Sequence, residues 1–252
     1  MNKTKKGSPL KRNAALTLGA MGVVYGDIGT SPIYAFNEAV HAGGDTRSEI
    51  LGVLSLVFWT LTIVVSIKYL IFVLNADNKG EGGTLAMFSQ FSEKIRGGRK
   101  GLMGFTVFVF LMAAALEFAD GILTPAISVI SAVEGIKTID PTLEFLVVPL
   151  TVLILAVLFI VQFKGTHKIG TIFGPVMILW FFVIGFMGVS QVIQNPESLA
   201  ALNPIYAFNF IQAHSFQTLF VMSSVILAVT GAEALYSDLG HFGKGPIRFG
   251  WF

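Results

Sequence analysis

Cysteine is absent from the 252 residues, which excludes a disulfide framework, a thiolate metal centre and a thiol nucleophile. Charge is scarce as well: Asp, Glu, Lys and Arg make up 13% of the chain, and 17 basic against 15 acidic side chains leave a net charge of +2. That is too little to grip nucleic acid. Apolar residues take the place of charge, reaching 54% with a mean hydropathy of +0.73, far above the composition of a water-soluble domain. The expected solvent is a lipid bilayer. The 23 Phe and 27 Gly fit a protein whose rings face lipid while its small residues let helices approach closely.

A bilayer core needs about 20 apolar residues per helix. Windows of that length run over about 14–37, 51–74, 104–133, 145–163, 170–192 and 216–236. They predict an all-α integral membrane protein with six spans: a basic tail over 1–13, a membrane domain over 14–237 and a short segment over 238–252. Asp27 in the middle of the first window, with no small-residue cleavage site after it, argues against a signal peptide. Basic residues assign the sides of the membrane. Lys3, Lys5, Lys6, Lys11, Arg12, Lys79, Lys94, Arg96, Arg99, Lys100, Lys164, Lys168, Lys244 and Arg248 fall on alternate flanks, whereas the other flanks hold only Arg47 and Lys137. Lys68 lies near the inner end of the second span, where it can snorkel. The positive-inside rule then places both termini in the cytoplasm.

Three spans contain residues that a lipid-facing helix does not need. In the first, Gly26, Asp27, Gly29 and Pro32 fall within seven positions, and Pro32 cannot donate to the carbonyl of Ile28, so the helix is expected to unwind here. The plainer alternative is a proline kink with Gly22 and Gly26 as a small-residue packing face. In the third, a step of about 100° per residue puts Glu117, Asp120, Thr124, Ser128 and Ser131 on an arc of about 80°. Pro125 would free the carbonyl of Gly121 beside that stripe. Isolated hydroxyls often bond back to their own helix, but two acids on one stripe mark a functional site. In the sixth, Thr230 and Gly231 interrupt an apolar run just before Glu233, while Asp238 reads as an interfacial charge. Paired interruptions point to a transporter site near the bilayer midplane.

Five strings carry a resemblance: GVVYGDIGTSPIYA from Gly22, EGGTLAMFS from Glu81, DGILTPAISVISAVEG from Asp120, FGPVMILWF from Phe173 and AVTGAEALYSDLGHFGKGPIR from Ala228. In this order they resemble the Kup/HAK/KT potassium uptake transporters of the amino acid, polyamine and organocation superfamily. The resemblance implies a fold of two inverted five-helix repeats with the first and sixth helices broken around the substrate, of which this chain supplies the first repeat and one further helix. It implies potassium uptake across the cell membrane by proton symport, with potassium the only metal, the proton as coupling ion and no cofactor. Asp27, Tyr34, Asp120, Thr124, Ser128 and Thr230 would bind potassium, and Glu117, Asp120 and Glu233 would carry the proton or balance charge. Gly26, Gly29, Pro32, Gly121, Pro125 and Gly231 are the expected helix breaks. Ala119 departs from the small glycine expected before the acid, which touches local packing. Members continue through a second repeat and commonly a cytoplasmic domain, so the chain reads as a truncated N-terminal half ending where a seventh span is due. It is then an inactive fragment, or works with a second copy or a separately encoded second half.

Rival functions leave no such trace. A potassium channel would show a TVGYG filter, and an ATP-driven pump a G-x-x-x-x-G-K-[ST] loop. The nearest rival is an amino-acid permease of the same superfamily. An enzyme is disfavoured, because His41, His167, His214 and His241 lie between the spans with no nucleophile near them in sequence.

Overall fold

The structure, a computed structural model, describes residues 9–95, 100–162, 167–214 and 216–252. Of the basic residues that set the topology, Lys3, Lys5, Lys6, Arg96, Arg99 and Lys164 lie outside them. The described residues are helical almost throughout, with a single short bridge between Asn78 and Glu81. The first helical run is divided into α1 (Pro9–Val23), α2 (Tyr25–Ile28) and α3 (Ser31–Gly43). The second begins at α4 (Arg47–Leu61), whose Thr46 and Glu49 form a reciprocal capping box, and continues through a π-helical stretch (Thr62–Phe72) and a final tight turn (Val73–Asn75). That stretch is rich in β-branched residues and opens with Thr62 bonding back to the Phe58 carbonyl at 2.8 Å, two features that loosen an α-helix.

After the short bridge come α5 (Thr84–Ile95) and the long α6 (Lys100–Glu134), followed by α7 (Ile136–Ile139), α8 (Val147–Gln162) and α9 (His167–Gln194). A surface helix, α10 (Ile205–Ala213), leads into the sixth run, which is split into α11 (Gln217–Leu227), α12 (Ala234–Ser237), α13 (Leu239–Phe242) and α14 (Lys244–Trp251). Among the described residues, four helical stretches are long and apolar enough to cross a membrane: Arg47–Asn75, Gly104–Ile139, Pro141–Val161 and Phe173–Gln194. The first and sixth runs do not join this group because each is cut before it reaches spanning length.

Two apolar clusters hold the broken runs together. One packs Ala20, Val24, Tyr25 and Ile28 against Val65, Leu70, Leu74, Leu235 and Leu239; the other packs Tyr34, Ala35 and Ala39 against Val53, Val57, Phe210, Val221 and Val225. Along both broken runs, the interrupted segment lies between the residues of one cluster and those of the other. Gly22 brings α1 onto α9: a Cβ there would strike the backbone of Phe173 and Gly174, so only glycine permits this approach. In contrast, α6, α8 and α9 turn large side chains outward, with Phe118 79% exposed and Phe182 and Phe186 each 70% exposed. These surfaces suit hydrocarbon, completing an all-α membrane protein.

Three expected breaks need correction, and a fourth is relocated. Gly26 sits inside α2 rather than in unwound chain, because the interruption begins at Gly29 and Thr30. Gly121 and Pro125 do not break the third run: α6 continues through both, since a proline removes one bond from a ladder that a 35-residue helix supports on either side. Pro32 starts α3 instead of ending a helix, standing in the first turn where its missing N–H has no partner to lose.

Candidate functional site

The site is assembled where the two interruptions meet. At the first, the turn over Gly29 and Thr30 exposes backbone carbonyls that helical residues would otherwise satisfy. Thr30 takes up two of them, its Oγ1 lying 3.1 Å from the carbonyl oxygens of both Gly26 and Asp27. The indole N–H of Trp180, from α9, donates to the Gly29 carbonyl at 3.0 Å. The break is therefore held by side chains as well as by its own backbone, with the Thr30 N–H donating to the Asp27 carbonyl at 3.0 Å.

At the sixth, residues 228–233 form a series of tight turns with backbone bonds such as Thr230 N–H to the Leu227 carbonyl (3.2 Å) and Ala232 N–H to that of Val229 (3.2 Å). Gly231 adopts φ +82°, a conformation that a side chain resists, and the place its Cβ would occupy is filled by the Asp27 carboxyl. Glu233 turns its carboxyl back to accept from the Gly231 N–H at 3.2 Å.

Hydroxyls join the two breaks. Ser31, fully buried, donates to Asp27 Oδ1 at 3.1 Å, receives the Tyr34 hydroxyl at 3.0 Å and stands 3.2 Å from Thr230 Oγ1. From α6, Asp120 comes within electrostatic reach of both Asp27 and Glu233. Thr124 donates to Asp120 Oδ1 at 2.7 Å, and Ser128 has a buried Oγ with no hydrogen-bond partner. Glu117 stands apart, accepting from Thr84 at 2.7 Å beside a cavity of about 580 Å³ lined by Gly82, Gly83, Thr84, Gly121 and Ser237. A larger cavity of about 800 Å³, between Gly22, Pro125, Leu153 and Phe173, is apolar and contains none of the candidate ligands.

Of the residues expected from the sequence, Asp27, Tyr34 and Thr230 share the hydroxyl network, while Thr124 bonds Asp120 in the neighbourhood of Glu233. Ser31, Trp180, Thr84 and Tyr69 were not singled out. The Tyr69 ring comes within electrostatic reach of Glu117 and Glu233. All but Tyr69 lie inside the quoted strings, and Ser31 stands four residues after Asp27, one helical turn on.

Below the site, a polar fastening ties the end of the second run to the end of the sixth. Lys244 contacts Asp77 at 2.5 Å, Tyr236 donates to the Ala76 carbonyl at 2.6 Å and Arg248 donates to the Leu70 carbonyl at 3.1 Å. Bonding from Lys244, with help from the Gly80 N–H, holds the Asp77 carboxyl below the usual aspartate range.

Comparison with known proteins agrees with this architecture. The family profile described as K+ potassium transporter integral membrane domain matches residues 14–252. The "Probable potassium transport system protein Kup 2" of Mesorhizobium japonicum is 54% identical over 239 residues, covering 94% of this chain and 37% of its own length. Its namesake from Legionella pneumophila (strain Lens) is 50% identical over 96% of this chain and 38% of itself. The "Probable potassium transport system protein Kup" of Chlorobium phaeobacteroides is 50% identical over 97% and 39%. This chain thus spans well under half the length of these relatives, aligning with their N-terminal part. No solved structure matches it. Match by match, the chain belongs to the K+ potassium transporter family.

Proposed function

We propose that this chain carries the ion-binding half of a potassium uptake system that works by proton symport in the cell membrane, with both termini cytoplasmic. The observation that carries this reading is the meeting of the two interrupted helices through Asp27, Ser31, Thr230 and Gly231. Potassium is a weakly hydrated ion that favours a shell of several neutral or partly charged oxygens. Asp27, Tyr34, Thr124, Ser128 and Thr230 offer such a shell, and the unpartnered Ser128 hydroxyl supports a ligand beside it. Asp120 contributes charge, and its approach to Glu233 supports a role for these two carboxyls in carrying the coupled proton. Glu117, bonded to Thr84, balances charge at the edge of the site. No covalent chemistry is assigned to these residues.

The test uses a full-length protein made from this chain followed by the remaining length of the Mesorhizobium japonicum relative. In cells lacking potassium uptake, Asp27→Asn and Asp120→Asn should abolish growth at low potassium at normal membrane abundance, while Asp238→Asn should not. Normal growth with both site variants would contradict the reading. Excess amino acids should leave rubidium uptake unchanged; competition would point to a permease.

A second reading concerns the chain by itself. The most apolar window of α6, the helix that carries Glu117 and Asp120, has none of its residues buried. A carboxyl beside hydrocarbon is costly even with one hydroxyl bonded to it, so this side calls for further cover, from a second copy or from the part of the relatives that this chain does not span. The chain alone should then fail to rescue growth at low potassium. Rescue that is lost on Asp120→Asn would show that it transports unaided.

A further inference from the structure

Arg248 lies half-buried on α14 against the end of the second helical run, and its guanidinium is only partly used. Nε donates to the Leu70 carbonyl at 3.1 Å and Nη2 to Asn75 Oδ1 at 3.2 Å. Asn75 is fixed in turn by donating to the Ile71 carbonyl at 2.6 Å. A guanidinium carries five N–H donors in a rigid fork. The Nε hydrogen and one Nη2 hydrogen make one edge of that fork, and both are taken. The other edge, two parallel donors on Nη1 and Nη2, has no protein acceptor among the described residues.

Charge is left over along with the hydrogens. Lys244, one turn earlier on α14, is paired with Asp77, whereas among the described residues no carboxylate pairs with Arg248. The surroundings suit lipid: Ile67, Ile71 and Phe72 on the second run are exposed, as is Phe249 beside Arg248. A cavity of about 260 Å³ lies here, lined by Leu70, Ile71, Asn75, Arg248 and Phe252. A cation beside hydrocarbon needs a counter-ion, and a phosphate matches the open edge of a guanidinium bidentately. The helix that presents it is held in place, with Ile247 fully buried, its carbonyl receiving the Tyr25 hydroxyl, and the Trp251 indole donating to Ser66 Oγ at 2.9 Å. A pre-positioned guanidinium does not have to be ordered on binding.

We propose that the cavity at Arg248 binds the phosphate of an anionic phospholipid, one lipid for each chain. Its acyl chains lie over Ile71 and Phe72, and its headgroup bridges the end of the second run to α14. The proposal is independent of what occupies the space between the two interrupted helices.

The experiment offers the purified 252-residue chain, in a non-ionic detergent, equal amounts of phosphatidylcholine and phosphatidylglycerol, and counts retained lipids by native mass spectrometry. One phosphatidylglycerol should be retained about fivefold over phosphatidylcholine, the factor that one arginine at an anionic surface provides. Arg248→Gln should remove the preference, while Arg12→Gln, at an exposed arginine on α1, should keep it. If Arg248→Gln does not accumulate, Ile71→Glu decides, because it places a carboxylate in the same cavity and should exclude the lipid phosphate. The full-length protein completed with the Mesorhizobium japonicum relative should show the same preference. An unchanged preference in Arg248→Gln or Ile71→Glu, or an equal loss in Arg12→Gln, would overturn the inference. So would displacement of the lipid by excess inorganic phosphate, which would mark a site for the free anion, a second copy of the chain held in the lipid's place, or loss of the preference in the full-length protein.

Discussion

Both interruptions bond their freed backbone groups through local turns and nearby side chains, but the first also draws on a helix 151 residues away, the Trp180 N–H reaching the Gly29 carbonyl, whereas among the described residues the sixth relies on its own backbone turns and on Thr230 and Glu233. Both routes answer the same constraint, that an unsatisfied backbone group costs several kcal/mol inside a bilayer. They differ in what each leaves free. Side-chain staples fix the first break to α9 and orient Asp27, while the self-contained turns of the sixth place Thr230 and Glu233 with no helix outside the run bonding their backbone. The contact between the two breaks therefore has one side anchored to α9 and one side that depends on Gly231 to keep its shape.

The largest expected effect tests the unanchored side. Gly231→Ala must adopt φ +82° and push its methyl group into the Asp27 carboxyl. The strain alone is of order 1–3 kcal/mol. Thermal unfolding of the chain in detergent, followed by far-ultraviolet circular dichroism, should show the largest drop in midpoint here. A midpoint equal to that of the unmodified chain would mean that Gly231 is not held in this conformation.

A smaller effect tests the anchored side. Trp180→Phe keeps the ring in place but removes the N–H that reaches the Gly29 carbonyl, leaving that acceptor unmet at a cost of about 1–3 kcal/mol. Hydrogen exchange should rise over residues 24–31 and remain unchanged over 217–227. Equal loosening of both runs would erase the distinction between them.

The smallest effect concerns the fastening at Asp77 and Lys244. Because Lys244 lowers the folded-state proton affinity of Asp77, the contact's contribution is present above the ordinary aspartate range and is lost as pH falls through the depressed value. Asp77→Asn should unfold slightly earlier than the unmodified chain at neutral pH, and the gap should close at strongly acidic pH or in high salt. A gap that widens on acidification would give the linkage the opposite sign.

The parts of the site that were legible in the sequence are those carried by local composition. Thr230 and Gly231 stand out because an otherwise apolar run contains a hydroxyl and a residue free to take positive φ. The stripe from Glu117 to Ser128 is readable because α6 is continuous and a regular helix makes spacing equivalent to direction. That same continuity is why Gly121 and Pro125 were misjudged as breaks: weak helix formers do not end a helix of this length. At the first break, Gly26, Gly29 and Pro32 drew attention through their intrinsic preferences, yet of the three only Gly29 stands in the interruption, beside Thr30, where the Trp180 bond stabilises the turn. No local pattern reveals a partner 151 residues away. Ser31 went unassigned for a related reason, since membrane serines commonly bond to their own helix and its distinction comes from Thr230 across the contact.

The central claim is that potassium binds between the two interrupted helices, and the absence of cysteine allows a direct test. In the double variant Ser31→Cys and Thr230→Cys, the introduced thiols are the only ones in the chain and replace oxygens 3.2 Å apart. A mild oxidant should join them into an intramolecular disulfide, detected by mass spectrometry of a digest. Excess rubidium should slow the reaction about tenfold or more by occupying the space between them, and adding Asp27→Asn should remove that protection. Failure of the two positions to cross-link, or a rate indifferent to rubidium, would contradict the account.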